Sequence, residues 1–272
     1  MSKFSMLNHK DKVAVAVSGG KDSLSLLYVM KKILESRHSA ADLIAITIDE
    51  GIKGYRDESL KIVQDFCSSL RISSKILSYK EIFGIDMDDA IISRSARKMS
   101  SCSICGTFRR RAMDMAAEAV GANVIATAHN LDDQVQSFMI NMLAGDVDRI
   151  GWTYPEPVLY ASNKLKKIKP FAEIYEQEIV FYALQREIPF QAEECPYMHE
   201  SIRTVIRQFL NNFEKEHPGI KYNMCNSITR ISKALKSSMQ TPAARICSIC
   251  RRECTSEICA ACSTVKKLTS EE

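Results

Sequence analysis

No stretch of the chain approaches the roughly 20 consecutive apolar residues that span a bilayer, so no membrane-crossing protein is expected. Residues 1–12 are polar and hold no apolar signal-peptide core, which points to a cytoplasmic protein. Neither sign of charge dominates. The 37 Lys+Arg against 33 Asp+Glu leave a net +4, too mild to demand nucleic acid, so that case must rest on local basic clusters. There is no internal repeat and no low-complexity tract, which excludes a repeat architecture. Two nucleotide-binding signatures are missing as well. No Walker A spacing separates a first glycine from a Gly-Lys-Ser/Thr, and no third glycine completes a dinucleotide fingerprint.

The 46% hydrophobic and 26% charged residues predict a packed core. The 272 residues allow one α/β domain with an appendage, or two small domains.

The chain is organised around residues 13–23. A β-branched run stops at Gly19-Gly20, and an apolar-periodic helix follows through Leu24, Leu27, Met30 and Leu34. Such a turn suits a phosphate. Glycine lets the backbone approach closely, and the first N–H groups of the helix are unpaired and carry the positive end of its dipole. Ser18 and Ser23 add hydroxyls, and Lys21 adds a charge. Asp22 would repel a bare phosphate, and its natural work is to help hold a Mg²⁺ that the phosphates share.

Strand and helix then alternate at least four times before residue 145. Strands are expected at 43–48, 72–79 and 123–128, and helices at 56–70, 109–120 and from about 131 to 143. Residues 81–99 form a connector of helical pieces broken at Gly84. The pattern is that of a doubly wound parallel sheet, α/β in class. Right-handed crossovers place the Ser18, Asp49 and His129 loops on one rim. Residues 145–170 read as mostly loop, with Pro155, Pro157 and Pro170. Helices are expected at 172–186, 201–216 and 227–235, and Thr241-Pro242 opens a cysteine segment. The expected divisions are residues 1–170 for the sheet domain, 171–240 for a helical extension, and 241–272 for a metal-binding tail.

Ten cysteines in a chain of this kind do not read as a disulfide framework. Cys247-x-x-Cys250 and Cys259-x-x-Cys262 form a zinc-ribbon-like pattern, in which two tight knuckles supply four thiolates to one tetrahedral Zn²⁺. Metal would supply folding energy that so short a segment cannot bury. Cys254 is read as a spare thiol, and Cys67 as a core residue. Cys102-x-x-Cys105 leaves a redox pair, half a metal site or two ordinary thiols open. With Cys195 it could leave one iron of a cubane cluster without a protein ligand.

Several residues have plain structural readings too. Asp132 and Asp133 fit helix capping. His129 and His199 fit structural hydrogen bonding. Arg109, Arg110 and Arg111 read as a helix start, where cations are unfavourable and an adjacent anion is implied. Lys164, Lys166, Lys167 and Lys169, with Tyr160 and Phe171 beside them, read as a solvated basic loop, an RNA-backbone contact being the alternative.

Taken together, the string SGGKDS, Ile48-Asp49-Glu50-Gly51-Ile52 and the run from Cys102 to Arg110 carry a resemblance. So do Ala128-His129-Asn130-Leu131-Asp132-Asp133-Gln134, Cys195-Pro196-Tyr197 and the stretch 203–219. In order and content they resemble the TtuA/TtcA group of tRNA thiolation enzymes, within the PP-loop ATP pyrophosphatase superfamily, and nearly the whole chain is covered. The terminal CxxC pairs favour the branch that makes 2-thiouridine over the one that makes 2-thiocytidine. A PP-loop amidotransferase-type synthetase and a non-catalytic ATP- and RNA-binding Fe–S module are the rival readings.

The resemblance implies ATP bound by Ser18, Gly19, Gly20, Lys21, Asp22 and Ser23, with adenine near Ile48 and Ala128 lining the site. It implies Arg109 as a catalytic or ATP-contacting cation and Asp133 near the reacting base. A [4Fe–4S] cluster falls on Cys102, Cys105 and Cys195. A tRNA uridine would be adenylated at its C2 oxygen, with release of pyrophosphate, and sulfur would then displace AMP. The partners implied are tRNA, a sulfur donor (sulfide or a ubiquitin-like carrier) and a possible second copy. The branch usually begins with an N-terminal zinc finger, whereas here the first strand starts about a dozen residues in, so part of the tRNA-gripping surface is expected to be absent or replaced.

Overall fold

The run of Val and Ala at Val13–Ala16 forms β1, apolar at each position as a strand covered on both faces must be. In a computed structural model that describes residues 4–36, 42–94, 99–151, 158–159, 165–198, 202–238 and 245–269, β1 is the middle of a sheet. It pairs in parallel with β2 (Leu43–Asp49) on one side and β4 (Val124–Ala126) on the other. β2 continues in parallel to β3 (Ser73–Ser78), and β4 to β6 (Lys166–Ile168), where the antiparallel β5 (Val158–Leu159) is added. The order β3-β2-β1-β4-β6-β5 reverses direction between β1 and β4. That reversal opens a crevice beyond the carboxyl ends of these two strands.

The alternation along β1 divides the core. Val13 and Val15 face α1 (Lys21–Ser36) and α2 (Arg56–Ser69), together with Leu24, Leu27, Met30 and Val63. Ala14 faces the other side, with Ile46, Ile125 and the α5 helix (Ser101–Ala119), which contributes Ile104, Phe108, Ala112 and Ala116. Each fully buried Leu or Phe side chain contributes about 1.5–3 kcal/mol, so these two layers dominate the fold's stability. Between β3 and α5 run α3 (Tyr79–Phe83) and α4 (Met87–Ser93), separated by the helix-ending Gly84 at φ 73°.

A third apolar cluster joins α6 (Leu131–Leu143), α9 (Ile202–Glu216) and α10 (Ile220–Ser238) through Leu131, Val135, Ile206, Leu210, Cys225 and Ile228. α8 (Glu176–Gln185) packs on α1 with Ile179 and Ala183. The C-terminal knuckle consists of β7 (Arg245–Ile246), β8 (Glu253–Cys254) and α11 (Ala260–Thr269). Its Cys247, Cys259, Ala261 and Leu268 share one apolar cluster with Phe108. Among the described residues no helix is long and apolar enough to cross a membrane.

Five expectations are corrected. α5 starts at Ser101, capped by Ser100, so Arg109 to Arg111 lie in its third turn and no longer imply an anion at a helix start. Residues 145–170 hold α7 (Val147–Gly151), β5 and β6 as well as loop. The basic stretch is therefore not simply a solvated loop: Lys167 pairs with Asp114 at 2.6 Å, and Lys166 donates to the Ser5 carbonyl at 2.8 Å. The helix expected at 227–235 is the middle of the longer α10, and the one expected from residue 172 begins at Glu176 after a tight turn. Pro155, Pro157, Tyr160, Lys164, His199 and Thr241-Pro242 lie outside the described residues.

Candidate active site

The turn after β1 is stapled by its own side chains. Ser23 Oγ accepts from the Ser18 N–H (3.1 Å), donates to the Gly20 carbonyl (2.9 Å) and lies 3.2 Å from Ser18 Oγ. Gly19 is obligatory. Its φ is 92°, and a Cβ there would sit 2.7 Å from the Ser59 Cβ of α2. Arg56, at the start of α2, donates to the Ser18 carbonyl at 2.8 Å and the Ile48 carbonyl at 2.6 Å. One buried guanidinium thus fixes the tips of β1 and β2 against each other.

A cleft of about 230 Å³ opens above these tips. Ser18, Gly20, Asp22 and Ser23 line it from the turn and the start of α1, Ile48 and Glu50 from β2, Arg109 from α5, and Ala128, His129 and Asp133 from the loop after β4 and the start of α6. Gly19 and Lys21 do not line it. The Lys21 ammonium is held instead by Glu176 Oε1 at 2.7 Å and Asp22 Oδ2 at 3.3 Å. Burial opposes its charge, but these two carboxylates leave it more basic than an ordinary lysine. Burial pushes the Asp22 carboxyl up to about 6, against the pull of Lys21 and with the help of Glu176. Asp22 Oδ1 is buried with no hydrogen-bond partner among the described residues. A buried, orphaned carboxylate oxygen at the mouth of a phosphate-type turn fits a hard cation such as Mg²⁺.

The two adjacent aspartates part company. Asp133 closes a capping box, accepting from the Asn130 N–H (3.2 Å) while its own N–H donates to Asn130 Oδ1 (2.9 Å), and it faces the cleft with Arg203 Nη1 3.7 Å away. Asp132 is turned away and buried. It takes Lys221 Nζ at 2.5 Å and the Glu176 N–H at 2.8 Å. His129, exposed at the cleft, bonds Thr127 Oγ1 at 2.9 Å, and desolvation by the cleft walls followed by the Lys169 charge holds its imidazole below the ordinary histidine range.

Arg109 connects the cleft to the first cysteine group. Its Nη2 is 2.9 Å from Glu50 Oε1 and donates to Cys105 Sγ at 3.3 Å. The Tyr79 hydroxyl lies 3.6 Å from the same sulfur. Cys102 sits one helical turn earlier on the same face of α5. Cys195 is half-buried against the apolar cluster that also holds Cys105, and its loop is tied to α5 by Ser101 Oγ donating to the Tyr197 carbonyl at 3.5 Å. The sulfurs of Cys102, Cys105 and Cys195 are not all within 4.8 Å of one another. Three thiols, one of them already accepting a hydrogen bond from Arg109, are a donor set that fits a cluster with one iron left open.

The other four behave differently. Cys247, Cys250, Cys259 and Cys262 have all their sulfurs within 4.8 Å of one another. Cys250 and Cys259 are 3.8 Å apart, the spacing of about 3.8 Å that a tetrahedral site with 2.3 Å Zn–S bonds requires. The set fits Zn²⁺. Cys254 stands outside it and donates to the Ser256 carbonyl. Arg111 Nη2 reaches Cys250 Sγ at 3.0 Å, so α5 touches this site as well.

Four of these residues escaped sequence reasoning. Glu50 stands in the sequence only as one letter of the Ile48–Ile52 motif, with no role attached. Arg56, Glu176 and Lys221 carried no motif, because each finds its partner across the fold.

Residues 1–214 match the family model of the PP-loop domain. A Chlamydomonas reinhardtii protein named cytoplasmic tRNA 2-thiolation protein 1 is 36% identical over 263 residues, which is 97% of this chain and 73% of the relative. The Caenorhabditis elegans protein of the same name is 34% identical, over 96% of this chain and 68% of its own length. Among solved structures, the U34-tRNA thiolase NcsA from Methanococcus maripaludis, with its [4Fe-4S] cluster, is similar at 32% identity. It has a TM-score of 0.81 and covers 98% of this chain and 84% of that one.

Proposed function

We propose a function from one premise: the chain belongs to the PP-loop domain family and, within it, to the cytoplasmic tRNA 2-thiolation protein 1 family. It is an ATP-dependent sulfurtransferase that converts a tRNA uridine to 2-thiouridine in the cytoplasm. Position 34, for which the archaeal neighbour is named, is taken as the target. The observation that carries the reading is that the Ser18–Ser23 turn, Glu50 and Arg109 line one cleft and that Arg109 donates from its wall to Cys105.

In the first step the uridine C2 oxygen attacks the α-phosphorus of ATP and pyrophosphate leaves. The turn N–H groups, Ser18 and Ser23 hold phosphate oxygens, and Lys21 neutralises charge on the leaving pyrophosphate. Asp22 would hold Mg²⁺ between the phosphates. Adenine lies against Ile48 and Ala128. Asp133 takes the proton released from N3 of the base, and Arg109 steadies the α-phosphate. Sulfur at the oxidation level of sulfide then adds at C2 and AMP leaves, so the exchange of oxygen for sulfur needs no net oxidant.

Cys102, Cys105 and Cys195 would hold the cluster, which when bound supplies an iron free to keep sulfide at hand. Zn²⁺ on Cys247, Cys250, Cys259 and Cys262 is structural. The division into residues 1–170, 171–240 and 241–272, sulfide or a ubiquitin-like thiocarboxylate as donor, and a second copy as partner belong to the same proposal.

The test is anaerobic incubation of iron- and sulfide-loaded protein with unmodified tRNA, Mg–ATP and sulfide, followed by mass spectrometry of the nucleosides. 2-Thiouridine with AMP and pyrophosphate is expected. Cys195→Ala should still bind ATP but yield no thiolated base. 2-Thiocytidine, or no thiolated base from the wild type, would overturn the reading.

A further inference from the structure

Lys21 is the cation of the phosphate turn, yet its ammonium is already engaged by two carboxylates. Its neighbours Gly20, Asp22 and Ser23 line the cleft; Lys21 does not. Glu176 Oε1 holds the ammonium at 2.7 Å, closer than Asp22 does at 3.3 Å. Only 24% of the lysine side chain and 32% of the glutamate are exposed, so the pair is partly desolvated and stronger than an open surface pair.

Glu176 is itself held in place. It is the first residue of α8, and its N–H donates to Asp132 Oδ2 at 2.8 Å. Asp132 is locked by the buried Lys221, whose ammonium also reaches Asn211 Oδ1 at 2.5 Å. The Lys221 and Gly219 N–H groups both donate to Glu214 at 2.7 Å. The carboxylate facing Lys21 therefore hangs on a polar chain that runs through α6, α9 and α10.

We infer that Glu176 is a positioning residue that occupies Lys21 in place of a phosphate and must yield it when a polyphosphate enters the cleft. The inference rests on the ATP reading above and adds to it a competition for one ammonium. The carboxylate oxygen at 2.7 Å offers Lys21 the same kind of contact that a phosphate oxygen would. One ammonium has three donors, and Asp22 and Glu176 already take two of them, so an incoming phosphate competes with carboxylates for the same charge. Binding of ATP then breaks the Lys21–Glu176 contact and leaves the Glu176 carboxylate to water or to a group of the incoming tRNA. Removing that carboxylate removes the competitor.

The test is calorimetric binding of ATP, of inorganic tripolyphosphate and of adenosine to the full chain in EDTA, so that no divalent cation enters the comparison. Glu176→Gln should bind ATP and tripolyphosphate roughly three- to tenfold tighter than wild type, with adenosine unchanged. In a Lys21→Met background the same change should do nothing, because the contested ammonium is gone. Turnover should show a split: a lower KM for ATP and a lower kcat, since pyrophosphate is held longer. Glu176→Asp reports on folding, since it keeps an acid at the helix start. If Glu176→Gln binds polyphosphate equally or more weakly, or keeps its gain without Lys21, the inference falls. If wild type binds no ATP at all, the nucleotide reading fails first.

Discussion

Arg109 Nη2 lies 3.3 Å from Cys105 Sγ and 2.9 Å from Glu50 Oε1, so one nitrogen joins the first cysteine group to the wall of the cleft. The two partners of Glu50 differ in setting. Arg56 is buried, and its Nε is 2.7 Å from Glu50 Oε2, whereas the Arg109 side chain is half exposed.

Glu50→Ala should therefore cost far more stability than Arg109→Ala. Removing the carboxylate strands a buried guanidinium, a loss of about 3–5 kcal/mol, while the exposed end costs about 1 kcal/mol or less. Urea unfolding measures both. Arg109→Ala should instead show its effect as lost thiolation in a protein that still folds.

Gly19 and Gly20 should respond oppositely to alanine. At Gly19 the positive φ and the 2.7 Å approach to Ser59 forbid a Cβ, so Gly19→Ala should lose at least about 1–3 kcal/mol and its ATP binding. At Gly20 the nearest atom to an added Cβ is Ser18 Oγ at 3.7 Å, an ordinary contact. Gly20→Ala should melt within a few degrees of wild type, and thermal unfolding of the pair separates the two cases.

Asp22 gives a pH dependence with a definite sign. The folded protein keeps its proton to about pH 6, against 3.8 for an ordinary aspartic acid. The fold's advantage from that proton is complete below 3.8 and is lost as pH rises through about 6. Asp22→Asn should thus be more stable than wild type by about 1–3 kcal/mol at about pH 7.5, with the gain shrinking by about pH 4.5. Mg²⁺-dependent pyrophosphate release should vanish in the variant. In wild type it should fall off below about pH 6 as the carboxylate takes up its proton.

The C-terminal site should bind one zinc per chain. Cys254→Ser should leave that stoichiometry unchanged, and Cys259→Ser should abolish it. Because Cys247 and Cys259 pack in one cluster with Phe108 and Ile104, metal loss should also speed amide exchange along α5. Unchanged α5 exchange in Cys259→Ser would mean the helix holds its place without the knuckle.

What the sequence made legible was local. The Ser18–Ser23 turn, the capping Asp133 and the two C-terminal CxxC knuckles each depend on neighbours close in sequence, and their spacing reveals them. The parallel sheet followed from the alternation of strands and helices, but the spatial order of its strands did not. The start of α5 was obscure because residues 100–106 are mostly small and polar, with Ile104 alone to mark a buried face. β6 was hidden because a three-residue strand of Lys166, Lys167 and Ile168 has too little apolar pattern to stand out from a basic loop. Glu50 with Arg56, Lys21 with Glu176 and Asp132 with Lys221 were invisible for another reason. Each pair joins distant segments or turns on which way a side chain points, and no periodicity encodes that.

The 19-residue α5 carries Cys102 and Cys105 at its start, Arg109 toward the cleft, Arg111 toward Cys250 and Asp114 toward Lys167. Every one of those bearings is set by the pitch of a single rod, about 100° per residue. The helix can therefore absorb many exchanges of side chain but hardly any change of length. One residue inserted between Cys105 and Arg109 would turn everything downstream by more than a quarter revolution, disconnecting the thiols from the nucleotide wall while each motif still read correctly.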